Sequence, residues 1–116
     1  ALTQACLPLL TQAPDSAVVF VLDDPDQVRR AHWGAYGASK AAVARLAEIL
    51  HEETDAGPLR VHALLPGPMR TSLRQLAWFG LDPNDWPLPD AAGAAAAWLL
   101  SPAAVAARGA VLDLRD

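Results

Sequence analysis

Two apolar segments on either side of a long helix constrain this fold more than any other feature of the sequence. Residues 17–22 (Ala-Val-Val-Phe-Val-Leu) form an apolar run rich in β-branched side chains, bounded by aspartates on both sides. Such a run suits a central strand of a parallel sheet, buried on both faces. Residues 34–54 show helical spacing of apolar side chains, and residues 59–65 predict a second strand. Strand, helix and strand in this order form a crossover unit, which we expect to be parallel and right-handed.

Shorter elements surround this unit and complete an α/β fold class. Helices are predicted over residues 1–12, 71–79 and 90–100, and a last strand over residues 109–114. Loops are predicted over residues 23–33 and 82–89. Three parallel strands make a small sheet with unpaired edges, and the first helix starts at residue 1 with no capping residue ahead of it. We therefore expect residues 1–116 to be a single segment, half of a larger domain.

The composition excludes several classes of function. The 116 residues are 53% apolar and 19% charged with a formal net charge of −4, which argues against a disordered chain and against nucleic acid as a partner. The longest uncharged run, residues 91–107, is alanine-rich, broken by glycine and proline, and shorter than the roughly 20 apolar residues of a membrane span. The single cysteine, Cys6, cannot form an internal disulfide, so we expect a cytoplasmic protein.

No combination of side chains predicts a metal site. Three histidines share no metal-ligand spacing with one another or with the cysteine: His32, His51 and His62. His62 falls within a predicted strand and is expected to be a satisfied core or edge residue. The aspartates that follow the first strand lack the further ligands of a calcium loop, which favours a solvated loop.

The only tyrosine and the only lysine of the chain stand four residues apart, in Tyr36-Gly-Ala-Ser-Lys40. This spacing puts both side chains on one face of the long helix, one turn apart. A free phenol has a pKa near 10, and an ammonium group nearby lowers it. Lowering it to about 7 needs roughly 4 kcal/mol, of which one charge at 5–6 Å supplies about 3 kcal/mol at an effective dielectric constant of 20. A tyrosine tuned in this way can act as a general acid/base, whereas an exposed pair with no chemical role is the alternative.

These residues resemble the short-chain dehydrogenase/reductase family, and specifically a bacterial subgroup of oxidoreductases of unassigned activity. The segment 33–43 (Trp-Gly-Ala-Tyr-Gly-Ala-Ser-Lys-Ala-Ala-Val) is similar to the start of the active-site helix of that family. The segment 61–71 (Val-His-Ala-Leu-Leu-Pro-Gly-Pro-Met-Arg-Thr) matches its strand that ends in Pro-Gly and is followed by a threonine. The resemblance covers essentially all 116 residues, but only the carboxyl-terminal half of the usual family length.

The resemblance implies a fold, a cofactor and a set of site residues. The fold would be the carboxyl-terminal half of a doubly wound, Rossmann-type parallel sheet, which binds NAD or NADP at the carboxyl ends of its strands. Tyr36 would be the general acid/base, and Lys40 would lower its pKa and bind the nicotinamide ribose. The nicotinamide pocket would be lined by Pro66, Gly67 and Thr71. The Gly-rich phosphate loop of the amino-terminal dinucleotide-binding half is absent from this sequence, so we expect the segment alone to bind the dinucleotide poorly.

One position departs from the family pattern. The catalytic serine of the family lies thirteen residues before the tyrosine, and that position is Asp23. A serine hydroxyl donates a hydrogen bond to the substrate carbonyl, which an ionised carboxylate cannot do. The carboxylate would also repel developing oxyanion charge and raise the pKa of Tyr36.

Two further sets of residues have open interpretations. Three tryptophans could border a substrate cleft or pack in the core: Trp78, Trp86 and Trp98. The alanines of the long helix allow close approach of another helix, and the resemblance implies that this helix forms a subunit interface in a homo-oligomer. Ordinary packing within one subunit is the alternative.

The sequence supports two hypotheses from different functional classes. The first is an NAD(P)-dependent oxidoreductase that interconverts a small-molecule carbonyl and alcohol, favoured by Tyr36 and Lys40. The second is a family member that has lost catalysis and acts as a binding or scaffolding subunit, favoured by Asp23.

Overall fold

The computed structural model describes residues 1–115 and contains a three-stranded sheet flanked by helices. The strands are β1 (Ser16–Val21), β2 (Leu59–Leu65) and β3 (Val111–Asp113). The helices are α1 (Leu2–Gln12), α2 (Pro25–Val28), α3 (Gly34–Thr54), α4 (Ser72–Ala77) and α5 (Asp90–Leu100), and 3₁₀ turns cover Pro83–Asp85 and Pro102–Ala107. The sheet order is β1-β2-β3 with both pairs parallel. The α/β class, the parallel crossover and the predicted helix over 34–54 are confirmed.

Successive side chains of each strand point to opposite faces of the sheet, so the core has two layers. One face of β2 packs with α3 and α1 around Leu59, Val61 and Ala63. The other face packs with α5 and the second 3₁₀ turn around Leu64 and Leu99. Every residue of β2 is buried, because β2 is the strand with a neighbour on each side.

Among the three strands of residues 1–115, β1 pairs with β2 alone, and its residues after Ser16 are half-buried or exposed. The expectation of a central strand stays a prediction. One sequence-based expectation about this region was wrong. The segment 23–33, expected to be a loop, contains helix α2, because Asp24 accepts a hydrogen bond from the backbone N–H of Asp26 at 2.9 Å and Pro25 occupies the first turn. A capping aspartate followed by proline is a helix start.

Buried polar side chains join β2 to the segment after α5. Arg60, 2% exposed, pairs with Asp15 and donates to the backbone carbonyl of Ser101 at 2.9 Å. His62, 1% exposed, places Nδ1 3.1 Å from the carbonyl oxygen of Ala107. Burial lowers the pKa of His62. The expectation that His62 is a satisfied core residue is confirmed.

None of the helices in residues 1–115 is both long enough and apolar enough to cross a membrane.

Candidate active site

Residues that follow the three strands meet at one edge of the sheet. Asp23 and Asp24 follow β1, Pro66 and Gly67 follow β2, and Arg115 follows β3. Parallel strands bring their carboxyl ends together, and this edge is where ligands bind in open α/β sheets. The first turns of α3 carry the tyrosine and the lysine to the same edge.

Tyr36 and Asp23 are joined by a short hydrogen bond. The Tyr36 hydroxyl donates to Oδ2 of Asp23 at 2.6 Å. The thirteen-residue register that the sequence indicated therefore corresponds to direct contact between the two side chains. The carboxylate accepts the hydrogen bond that a catalytic tyrosine would donate to its substrate. Asp23 and a substrate therefore compete for the same hydroxyl group.

The environment of Tyr36 raises its pKa to about 12. Burial of the phenol is the largest cause, followed by the hydrogen bond to Asp23 and the negative charge of that carboxylate. The expectation that Lys40 moves this pKa toward 7 is not met in this arrangement. The opposite expectation, that Asp23 raises it, agrees with the structure.

Lys40 lies one turn from Tyr36, and its ammonium group uses only part of its hydrogen-bonding capacity. Its Nζ is 5.7 Å from the centroid of the Tyr36 ring and donates to the backbone carbonyl of Val21 at 3.4 Å. An ammonium group has three donors, so Lys40 retains donor capacity for a ligand at the end of β1.

The turn after β2 has the backbone conformation that its glycine permits. Gly67 has a φ of +73°, and a Cβ there would lie 3.3 Å from Cγ of Arg115. Thr71 caps α4, since its Oγ1 accepts from the backbone N–H of Arg74 at 3.1 Å. The hydroxyl proton of Thr71 remains a donor, a group suited to a nicotinamide carboxamide oxygen. The donors of Lys40 and Thr71 therefore fit the nicotinamide end of a dinucleotide.

Arg115 connects the ends of the outer strands, a role that no sequence pattern indicates. Its Nη1 lies 2.8 Å from Oδ1 of Asp24, and its Nη2 lies 2.7 Å from Oδ2 of Asp113. Hydrogen bonding from Arg115 lowers the pKa of Asp113 to about 2. The guanidinium of Arg115 therefore pairs with Asp24, while Asp23 accepts the hydrogen bond from Tyr36.

An aromatic cluster extends from Tyr36 toward α4. The Trp33 ring meets Tyr36 edge-on at a centroid distance of 5.5 Å and lies 5.0 Å from Trp78. Trp86 reaches the same region through Arg74, whose Cζ is 4.6 Å from its ring. Trp98 lies on α5 and makes no ring contact with this cluster within residues 1–115. No sequence pattern indicates a site role for the side chains of Trp33 and Arg74.

A largely apolar, open cavity of about 720 Å³ lies beside α3. Its walls come from α2, α3 and the sheet, and two site residues, Asp23 and Lys40, border it. Neither Tyr36 nor the Pro66-Gly67 turn lines it. The cavity therefore adjoins the acid/base pair without containing the tyrosine.

A parallel crossover sheet with these side chains at its carboxyl edge defines a class, the doubly wound α/β proteins. Residues 1–78 match the model of the short chain dehydrogenase family, and the chain belongs to that family. It is 39% identical over 88 residues to YciK, an uncharacterized oxidoreductase of Escherichia coli K12, a match that covers 76% of this chain and 34% of YciK. The predicted family and fold class are confirmed.

Solved structures agree with this assignment. A short chain dehydrogenase from Salmonella enterica serovar Typhi matches with a TM-score of 0.90 and 33% identity, over 99% of this chain and 47% of that one. A short chain dehydrogenase from Escherichia coli CFT073, solved in complex with NADPH, matches with a TM-score of 0.88 and 33% identity, over 99% and 48% of the two chains. The chain thus spans about half the length of these solved relatives.

Proposed function

We propose that this chain supplies the acid/base half of the active site of an NAD(P)-dependent oxidoreductase that interconverts a carbonyl and an alcohol. The observation that carries the proposal is the pair formed by Tyr36 and Lys40 on successive turns of α3, with Nζ 5.7 Å from the phenol ring. The family assignment and the NADPH complex of a relative support the same reaction class. The substrate is a small molecule that offers a carbonyl or hydroxyl group.

Four residues of this chain would hold the nicotinamide end of the cofactor: Lys40, Pro66, Gly67 and Thr71. Lys40 would donate to ribose hydroxyls, and the Thr71 hydroxyl would donate to the carboxamide. Because Gly67 has no Cβ, it can adopt the left-handed conformation of this turn. When bound, a reduced nicotinamide supplies the hydride for the carbonyl carbon. Either NAD or NADP fits this proposal.

Tyr36 would serve as the proton donor in the direction of carbonyl reduction. With a pKa of about 12, its phenol is still a stronger acid than water, whose pKa is about 16, so transfer to a nascent alkoxide is favourable. As a base the residue is weak, because only about one molecule in 10⁵ holds a phenolate at pH 7 with that pKa. The protonation state of Tyr36 at neutral pH therefore suits reduction better than oxidation.

The hydrogen bond to Asp23 opposes this role. The hydroxyl of Tyr36 must leave Oδ2 of Asp23, 2.6 Å away, before it can donate to a substrate. The carboxylate also offers no donor to the carbonyl oxygen and destabilises negative charge there. This contact favours the second candidate function, a family member without catalysis that acts as a binding or scaffolding subunit.

Substitutions at the two residues separate these functions. In the natural polypeptide that carries this sequence, we expect Tyr36→Phe to lower carbonyl reductase turnover by about 100-fold or more, the typical contribution of acid/base catalysis. We expect Asp23→Ser to raise turnover, because it frees the tyrosine and restores a donor. Asp26→Ser is the matched control, since Asp26 pairs with Arg29 at the surface.

The assay uses a panel of aldehydes and ketones with reduced NAD and NADP. No gain in Asp23→Ser would contradict the inhibitory role given to that carboxylate. A Tyr36→Phe variant that keeps the turnover of an active wild type would contradict the role of the tyrosine. Absence of turnover in both the wild type and Asp23→Ser would favour the scaffolding function.

We also place this activity in the cytoplasm, in a homo-oligomer. The single cysteine, Cys6, is consistent with a reducing compartment. The exposed apolar side chains of α1 and α3 support the homo-oligomer.

A further inference from the structure

Arg74 contacts two indole rings at the end of the aromatic cluster. Its Cζ is 4.0 Å from the centroid of Trp78 and 4.6 Å from that of Trp86. Stacking contacts of this kind use the faces of a guanidinium group. The N–H donors of the group lie in its plane, so they remain available to a ligand that approaches edge-on.

The donors of Arg74 are not used by the protein. Within residues 1–115, the guanidinium makes no ion pair and no side-chain hydrogen bond, and its Nε is buried without an acceptor. A buried donor without a partner is costly in a folded protein. The terminal Nη donors of Arg74 are not among the buried atoms, so they are the donors that a ligand oxygen can reach.

The surrounding loop holds this arrangement in place. Arg70 donates from Nε to the carbonyl oxygen of Pro83 at 3.0 Å and from its backbone N–H to that of Pro87 at 2.8 Å. These bonds fix the segment that carries Trp86. Thr71 caps the helix by accepting from the Arg74 backbone N–H. The guanidinium is therefore positioned before any ligand binds, which lowers the entropic cost of recognition.

The cluster connects Arg74 to the proton donor. Trp33 contacts Trp78 on one side and Tyr36 on the other, at centroid distances of 5.0 and 5.5 Å. A planar or apolar body lying along these rings would present one end to Tyr36 and the other to Arg74. A carboxylate is the group that best matches the in-plane N–H pair of arginine.

We propose that Arg74 is a specificity-determining residue that binds a carboxylate at the far end of the carbonyl substrate. The proposal rests on the carbonyl reductase function proposed above and names its substrate class as keto acids or aldehyde acids. The apolar spacer between the two groups of the substrate packs on Trp33 and Trp78.

The test compares para-acetylbenzoate with its methyl ester, which lacks the charge, as substrates for the natural polypeptide. In the wild type we expect kcat/KM to favour the acid by about ten-fold or more, the contribution of one charge-assisted pair. We expect Arg74→Gln to remove this preference by lowering kcat/KM for the acid alone. Arg45→Gln is the control, because Arg45 is exposed on α3 and pairs with Glu48.

An equal fall for acid and ester in Arg74→Gln would overturn the proposal and indicate a structural role. An unchanged preference with a raised KM for the nicotinamide cofactor would also overturn it, because Arg74 would then bind the cofactor diphosphate. If neither compound is turned over, the reductase function fails while the proposal remains testable by calorimetric binding of the same pair. Acid-selective binding that Arg74→Gln abolishes supports the carboxylate site, and equal or absent binding overturns it.

Discussion

The hydroxyl of Tyr36 has a single strong acceptor in this structure, Oδ2 of Asp23 at 2.6 Å. The bond holds the proton that catalysis would transfer, and together with burial it raises the pKa of the phenol to about 12. Lys40, at 5.7 Å from the ring, does not offset these effects. Burial of the phenol and the carboxylate of Asp23 therefore both oppose the acid/base role proposed for Tyr36.

Single residues differed in how far the sequence could predict them. The contact between Asp23 and Tyr36 was predictable only through the family resemblance, which places the catalytic serine position thirteen residues before the tyrosine. Arg115 and Arg74 were not, because their partners depend on how the chain ends and loops fold back. Asp24, the partner of Arg115, lies 91 residues away in sequence. The aromatic stacking around Arg74 likewise joins three segments that no local pattern relates.

At the scale of elements, the closest packing in the site is between α2 and α3. Gly37 is the residue of α3 at this approach, and a Cβ there would lie 2.2 Å from the carbonyl oxygen of Val28. The short helix α2 begins at Pro25, and its cap Asp24 follows Asp23 directly, so this packing also sets the position of the carboxylate next to Tyr36.

We expect Gly37→Ala to lower the free energy of unfolding by about 1–3 kcal/mol, the usual cost of overpacking, because backbone atoms must move apart. Gly34→Ala is the matched control, since no atom lies within 4 Å of its added Cβ, and alanine in a helix is favoured by up to about 1 kcal/mol. Urea denaturation of both variants measures the difference. Equal stabilities would show that α2 and α3 do not pack as closely as described.

The elements that the sequence predicted well are those with long periodic or apolar patterns. The bounds of α3 follow from its helical periodicity, and β2 follows from its apolar run between a glycine-proline stop and a proline-glycine turn. Helix α2 was missed because proline in a short polar segment was interpreted as a loop signal.

At the scale of the whole molecule, the outer surface of α1 and α3 carries large exposed apolar side chains. Leu46 and Ile49 on α3 are 56% and 45% exposed, and Leu2 and Leu9 on α1 are 79% and 72% exposed. Patches of this kind mark interaction sites in folded proteins. Two copies that pair through this face would bury it around a symmetry axis, which is the commonest arrangement of oligomers.

We expect the double substitution Leu46→Glu with Ile49→Glu to shift the natural polypeptide to a smaller species, because like charges would face each other across the pair of α3 helices. Val105→Glu, at a side chain that is 61% exposed on the second 3₁₀ turn, is the control and should leave the mass unchanged. Sedimentation equilibrium reads out the mass. A wild type that is monomeric, or a double variant with the wild-type mass, would refute the interface.

The ionisation of Tyr36 reports whether burial and the carboxylate of Asp23 hold its proton. The chain contains one tyrosine, and subtracting the spectrum of Tyr36→Phe isolates the near-ultraviolet absorbance of this tyrosinate in the natural polypeptide. With a pKa of about 12, only about one-tenth of Tyr36 should be ionised at pH ~11, where an unperturbed phenol is mostly ionised. Asp23→Ser should raise that fraction, because it removes the hydrogen bond and the negative charge that add to the effect of burial, and Asp26→Ser should not. A wild-type Tyr36 that is largely ionised at this pH, in a protein whose circular dichroism shows it still folded, would contradict the account.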